Sequence, residues 1–129
     1  EIKTSEARAI LPQLVPLKEA VRNWSNLGSL VAALAKGDYG LISRSMVDTI
    51  VEPVRKSLIP KFDDVKQAGL AAGALGGGIS GSGPSMFMIS ETQGSADSVA
   101  AAMRSVYDPT GIDFNIYVSQ IHPEGVRFI

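Results

Sequence analysis

The sequence predicts an α+β domain, in which helices pack on one face of an antiparallel sheet. Three observations support this fold class. Up to about residue 75, apolar residues recur at spacings of three and four, as in amphipathic helices. After Gly76 the pattern changes to strand-like segments, two of them before a further amphipathic helix and two after it. Because the helices come first and the strands later, the order differs from the strict alternation of parallel α/β folds.

Two helices are predicted at the start of the chain. The run Thr4-Ser5-Glu6 is a helix-start signal, since a hydroxyl can accept free backbone N–H groups, and this short helix must end near Pro12. The second helix should extend from about Leu17 to Lys36, where Gly37 ends it. One apolar stripe, which we expect to be buried, runs along it: Val21, Trp24, Leu27, Val31 and Leu34.

Two more helices should precede the sheet. Asp38 is the expected N-cap of a third helix that carries Ile42, Met46 and Ile50 on one face and stops around Pro53. Asp63 and Asp64 open the fourth helix. Its apolar positions at helical spacing are Val65, Ala68, Ala72 and Leu75.

The strands follow. Ile79 lies in a short extended segment, and residues 85–90 form a strand that is apolar on both faces. A fifth helix is expected from about Gly94 to Tyr107. Residues 112–119 alternate apolar and polar side chains, which predicts a half-buried strand, and residues 125–129 are interpreted as a last strand.

The composition excludes several classes of protein. The 129 residues suit one domain, 1–129, and 45 % hydrophobic against 19 % charged residues argues against disorder. A net charge of −1 gives no general attraction to nucleic acid or anionic membranes, and no apolar run approaches a membrane span. The absence of cysteine excludes disulfides and thiolate metal sites, and fits a cytoplasmic protein.

A glycine-rich segment is the strongest functional signal. Six of the eleven residues from Gly73 to Gly83 are glycine, and the hydroxyls of Ser80, Ser82 and Ser85 lie among or beside them. Glycine lets backbone N–H groups approach a ligand, and hydroxyls suit phosphate or carboxylate oxygens. The alternative is a purely structural hairpin where backbones pack closely. No Gly-Lys-Ser/Thr follows the glycines, so the segment is not a Walker loop.

Several stretches of this sequence resemble the homoserine kinases of the GHMP superfamily. The run GALG at 73–76, followed by ISGSGPSMF at 79–87, is similar to the third GHMP motif. The run TSEARAILP at 4–12 resembles the homoserine kinase segment T-x-x-A-R-x-x-L-P, and EPVRKSLIP at 52–60 resembles its E/Q-P-x-R-x-x-L-I-P segment. The run HPEGV at 122–126 resembles the family's closing strand.

This resemblance implies a fold, an activity and a set of site residues. The fold would be the GHMP carboxy-terminal domain, with a ferredoxin-like antiparallel sheet. The family transfers the γ-phosphoryl group of ATP to the hydroxyl of L-homoserine with Mg²⁺, on the way to threonine. The substrate-binding residues implied here are Arg8, Arg55, Ser80, Gly81, Ser82 and Gly83, of which the two arginines would hold the substrate carboxylate.

The rest of such an enzyme is not in this sequence. The family's ATP loop, P-x-x-x-G-L-G-S-S, does not occur, and Glu1 to Lys3 is interpreted as the end of a strand, so we expect a fragment. By itself it should contain no catalytic or metal-binding residue and should be inactive. ATP and Mg²⁺ would be bound mainly by the amino-terminal domain. That domain and L-homoserine are the expected partners of this chain. Pairing with a second copy of the same protein stays open.

Two other interpretations stay open at this stage. Another GHMP kinase, such as a cytidyl-diphosphate-methylerythritol kinase, has a similar third motif but does not typically share both arginine segments. A ferredoxin-like ligand-binding regulatory domain would belong to a different class of protein. Such domains usually start with a strand, which the leading helices fit poorly.

Overall fold

A computed structural model of the chain describes residues 2–122, 124 and 125. Helices dominate this part, and one antiparallel strand pair follows the first five of them, so the predicted α+β class is confirmed. The elements in chain order are α1 Thr4–Ala9, α2 Leu17–Lys36, α3 Tyr39–Ser45, α4 Glu52–Arg55, α5 Phe62–Ala71, β1 Gly76–Ile79, β2 Met86–Ile89 and α6 Gln93–Tyr107. Short 3₁₀ turns cover Lys56–Leu58 and Asp108–Thr110.

The sheet is built around a strand of glycines. β1 pairs antiparallel with β2, with Gly76 opposite Ile89. A Cβ atom on Gly77 would lie 2.2 Å from the carbonyl oxygen of Phe87, a distance that real Cβ atoms do not reach. One on Gly76 would lie 2.7 Å from the Cβ of Met46. Close packing therefore requires these two glycines, and this part of the glycine-rich segment is structural.

The predicted third helix is wrong beyond Ser45. We expected it to run past Met46 and Ile50 to about Pro53, but α3 ends at Ser45, and α4 begins separately at Glu52. Between them the carboxylate of Asp48 accepts hydrogen bonds from three backbone N–H groups, at positions 50–52. These bonds satisfy the amides that start α4, so the chain turns here instead of continuing as one helix.

The apolar stripe of α2 is exposed, which contradicts the prediction that it is buried. Trp24, Leu27 and Val31 are each at least 60 % exposed, and Val21 and Leu34 are about half exposed. The opposite side of α2 packs on α3, where Ala33 is fully buried. The spacing identified the helix correctly, but periodicity alone does not say which neighbour covers the apolar face.

The predicted strand at 112–119 does not form among the described residues. The segment has no regular secondary structure, and no backbone ladder joins it to β1 or β2. A strand needs a neighbour to receive its N–H and C=O groups, whatever its side-chain pattern. The strand predicted at 125–129 lies outside the described residues, apart from Gly125.

The fully packed core is small. α5 packs against α6, and both α3 and α5 contact β1. The buried apolar residues are Ala7, Ala33, Ile42, Ile59, Phe62, Val65 and Val99. Within the described ranges no helix is both long and apolar enough to cross a membrane.

Candidate substrate-binding site

The loop between β1 and β2 is a tight turn that exposes its backbone. The Ser80 N–H donates to the Ser85 carbonyl at 2.8 Å, and the Gly83 N–H donates to the Ser80 carbonyl at 3.1 Å. Gly81 and Gly83 have φ angles of +61° and +79°, which glycine adopts without strain. The turn leaves the N–H groups of Gly81 and Ser82 without an acceptor among the described residues. Two adjacent unpaired amides can bind an anion.

The two positive-φ glycines of the loop differ in their surroundings. A Cβ on Gly81 would meet no atom within 4 Å, so the space above this residue is open. A Cβ on Gly83 would lie 3.1 Å from Cδ1 of Ile59 and 3.4 Å from Cγ2 of Ile79. Ile59 is buried at 4 % exposure. Gly83 is therefore constrained by packing, whereas Gly81 is free to face a ligand.

Arg55 connects this loop to the start of the chain. Its Nη1 donates to the Gly81 carbonyl at 2.9 Å, and its Nε donates to the Ala7 carbonyl at 3.0 Å. Ala7 is fully buried on α1, and Arg55 is the last residue of α4. One half-buried guanidinium thus joins segments that lie 48 and 26 positions away in the sequence.

Arg8 is placed beside this junction, because its neighbour Ala7 supplies one of the two carbonyl groups. Its side chain is exposed and makes no hydrogen bond or ion pair with any described residue. The two predicted arginines therefore differ. Arg55 is engaged with the protein backbone, whereas the charge of Arg8 is available to a ligand.

Thr4 is a candidate site residue that the sequence reasoning did not include. Its hydroxyl lies 3.4 Å from the Ser82 hydroxyl. We expected a hydroxyl of this run to cap the helix, but α1 has Lys3 as its N-cap and no side-chain cap. The available signal was that Thr4 lies in the same segment as Arg8. The segments with Arg8, Arg55 and the glycine loop were all expected to bind one substrate.

The position of Arg55 depends on contacts at the start of α4. Asp48 accepts bonds from the backbone N–H groups of Ile50, Val51 and Glu52, and from the Asn23 side chain at 3.1 Å. Burial acts to raise the pKa of Asp48, but these hydrogen bonds together outweigh it and hold that pKa below its ordinary value.

An ion pair fixes α4 from its other side. Lys66 of α5 pairs with Glu52, and both side chains are less than one fifth exposed. The carboxylate of Glu52 also lies against β1, where a Cβ on Gly78 would be 3.0 Å from it. Contacts to α2, α5 and β1 therefore fix α4, which ends at Arg55.

The arrangement suits an anionic ligand. It combines the Arg55 guanidinium, unpaired backbone amides and the hydroxyls of the loop, which are the donors that bind carboxylate and phosphate oxygens, and Arg8 is one residue from the Ala7 carbonyl that Arg55 binds. Ser80 contributes its backbone to the turn, and its side chain is exposed. Across the described part of the chain, no group of three or more His, Cys, Asp or Glu side chains could hold a metal ion.

This fold and its glycine loop define a class of protein. A family profile described as GHMP kinases C terminal matches residues 30–109. The chain belongs to the GHMP kinase family and corresponds to its carboxy-terminal domain.

The similar proteins are homoserine kinases. The chain is 46 % identical to the homoserine kinase of Chlorobaculum tepidum over an alignment of 131 residues. This alignment covers all of this chain and 40 % of that protein. It is 42 % identical to the homoserine kinase of Pyrococcus abyssi over 120 residues, and this alignment covers 93 % of this chain and 40 % of that protein. The crystal structure of a homoserine kinase from Cytophaga hutchinsonii superimposes with a TM-score of 0.92 at 51 % identity, over 94 % of this chain and 38 % of that chain.

Proposed function

We propose that residues 1–129 form a single domain, the carboxy-terminal, substrate-side domain of a homoserine kinase. The complete enzyme would transfer the γ-phosphoryl group of ATP to the hydroxyl of L-homoserine, for threonine biosynthesis in the cytoplasm. The observation that carries the proposal is the junction at Arg55. It brings together the three segments that resemble homoserine kinases, in a chain 46 % identical to members of that family.

The proposed roles follow from the geometry. Arg8 binds the α-carboxylate of L-homoserine, because its guanidinium has no protein partner among the described residues. Arg55 contributes its remaining N–H groups and holds the glycine loop in place. The loop at 80–83 then faces the substrate through the open side of Gly81.

Phosphoryl transfer depends mainly on positioning and charge stabilisation, and this domain would supply the positioning of the acceptor. ATP and Mg²⁺ would bind mainly to the remainder of the polypeptide. The 129 residues contain neither the family's ATP loop nor, in their described part, a cluster of metal ligands. The chain spans 38 to 40 % of the length of the three homoserine kinases quoted above, so the activity is assigned to the longer polypeptide.

An ADP-release assay coupled to NADH oxidation tests the proposal. We expect the longer polypeptide to release ADP in the presence of L-homoserine, and the 129-residue chain to release none. A cytidyl-diphosphate-methylerythritol substrate tests the rival kinase in the same assay. Turnover of that substrate in preference to L-homoserine, or activity in the 129-residue chain, would overturn the proposal.

A further inference from the structure

The apolar stripe of α2 is larger than the exposed apolar patches of most single proteins. Leu17, at 72 % exposure, extends it by one turn beyond the five residues already described. Together the six residues present roughly 650 Å² to solvent, whereas the largest apolar patch of a typical monomer measures about 300–600 Å². The six are Leu17, Val21, Trp24, Leu27, Val31 and Leu34. A patch of this size marks an interaction surface.

The stripe carries no charge. The four charged residues of α2 are Lys18, Glu19, Arg22 and Lys36. With about 3.6 residues per turn, they lie about 120° or more around the helix axis from Trp24, which is in the middle of the stripe. Two copies of the stripe can therefore meet without like-charge repulsion, and a highly charged partner would find no ion pair on it.

Gly28 lies within the stripe, and its own chain gives no reason for a glycine there. It is inside α2, where glycine is less stable than alanine. A Cβ atom on Gly28 would meet no atom of the described chain within 4 Å. Trp24 is one turn before it and Val31 one turn after it, on the same side of the helix. The missing side chain lets another backbone approach α2 closely at this point.

We propose that the apolar stripe is a self-association surface, on which α2 of one copy packs against α2 of a second copy. The two helices run antiparallel about a twofold axis near Gly28, so the same patch is used on both copies. Both ends of the stripe are apolar, so each end meets an apolar surface. Covering both stripes would bury roughly 1,300 Å², which is within the about 1,200–2,000 Å² of stable protein interfaces.

The rest of a longer polypeptide is the main alternative occupant. Of the stripe, Leu27 lines the cleft of about 270 Å³ beside Gly81, whereas Val21, Trp24 and Val31 do not. Under the proposed function, on which this step alone rests, the ATP-binding part must meet this domain at the glycine loop, because the phosphoryl group has to reach the bound substrate. That contact leaves most of the stripe to a second copy.

Sedimentation velocity of the longer polypeptide at micromolar concentration tests the proposal. We expect the wild type to be a dimer. Val31→Glu places an unpaired charge in the interface, so the dissociation constant should rise at least tenfold. Its far-UV CD spectrum should match wild type, since Val31 is exposed within one chain. Arg22→Glu, on the charged side of α2, is the control and should remain a dimer.

Gly28→Gln tests the close approach and decides the matter if Val31→Glu does not fold. Glutamine favours a helix more than glycine does, and a single chain has open space at this position. The variant should therefore fold, but its side chain stands where the second helix passes. We expect its dissociation constant to rise at least tenfold as well.

Two results would overturn the proposal. A monomeric wild type is the first, and a lower melting temperature of Val31→Glu in that case would mean that the same polypeptide covers the stripe. The second is a dimer that persists in Gly28→Gln or in folded Val31→Glu, which would place the contact on another surface. None of these measurements uses kinase turnover, so a failure of the proposed function is detected separately.

Discussion

Arg55 donates from Nη1 to the carbonyl oxygen of Gly81 at 2.9 Å, although the two residues lie 26 positions apart. The same guanidinium donates to Ala7 at 3.0 Å, so Arg55 fixes the glycine loop relative to α1. A side chain expected only to bind substrate is therefore also a positioning residue. Substituting it should affect folding and substrate binding together.

Arg55→Ala in the longer enzyme should raise the KM for L-homoserine and lower the melting temperature. The loss of charge-assisted bonds costs about 2–4 kcal/mol, which is more than tenfold in kcat/KM. The KM for ATP should stay nearly unchanged. Arg55→Lys should recover only part of the loss, since one ammonium group cannot hold two carbonyl groups at fixed geometry. Kinetics and thermal melting of both variants measure this.

Arg22→Ala is the matched control for Arg55. Arg22 is an exposed arginine on α2 with no hydrogen bond or ion pair to any described residue, so the kinetics and the melting temperature of the variant should match wild type. If Arg55→Ala behaves like this control, Arg55 neither positions the loop nor binds substrate.

Arg8→Ala should separate binding from stability. Because the exposed Arg8 side chain makes no hydrogen bond or ion pair with the described residues, we expect a melting temperature within a few degrees of wild type. The KM for L-homoserine should rise at least tenfold, since a carboxylate contact is lost. Homoserine titrations paired with melting curves measure the two effects. An unchanged KM would remove Arg8 from the site.

Gly81→Ala and Gly83→Ala should have different effects on activity and stability. Alanine at the positive φ of Gly81 costs roughly 1 kcal/mol but meets no neighbour, so the melting temperature should fall only by a few degrees. Activity should fall at least tenfold, because the new methyl group occupies the open side of the loop. Gly83→Ala adds contact with Ile59 to the same strain and should destabilise the protein more. Melting curves and kcat/KM of both variants test this.

A mainly structural effect of Gly81→Ala would contradict the assignment of Gly81 to the substrate site. If Gly81→Ala lowers the melting temperature as much as Gly83→Ala and retains activity at low temperature, both glycines are structural. The site would then consist of the arginines and Thr4 without the loop.

Local signals in the sequence predicted most of the helices correctly. Asp38 caps α3 by accepting from the Leu41 N–H, and Gly37 ends α2 at φ +67°, as their residue types suggested. Each of these features is decided within a few residues. The break between α3 and α4 was missed because Asp48 acts as a turn and cap residue there, and a helical spacing of apolar residues continues across it.

Long-range features were harder to predict. The spacing of Trp24 and Leu27 identified an apolar face, but exposure depends on neighbours that the pattern does not specify. The alternation at 112–119 likewise describes what a strand would bury, not whether a partner strand is present. The grouping of the site residues came only from the family resemblance, since no local rule joins Arg55 to Gly81.

Removing the Thr4 hydroxyl should affect catalysis with little effect on folding. The Thr4 and Ser82 hydroxyls lie 3.4 Å apart at an exposed position, and Thr4 does not cap α1. Thr4→Val keeps the shape of the side chain and should lower kcat/KM for L-homoserine, with a melting temperature close to wild type. Thr4→Ser, which keeps the hydroxyl, is the control and should retain most of the activity. Equal activity of Thr4→Val and Thr4→Ser would place Thr4 outside the site.

Asp48→Asn should weaken the protein at neutral pH and change its response to acid. Hydrogen bonds hold the pKa of Asp48 below its ordinary value. The stability that its carboxylate gives to the folded state is therefore complete above the pKa of about 3.9 that the group has in the unfolded chain. It is lost as the pH falls through the folded pKa. The difference in melting temperature between wild type and variant should therefore be constant from pH 7 to about 5 and shrink below pH 4. Asp97→Asn, an exposed change on α6, is the control and should show a small difference throughout. A gap for Asp48→Asn that stays constant down to pH 3 would show that its carboxylate charge does not stabilise the start of α4.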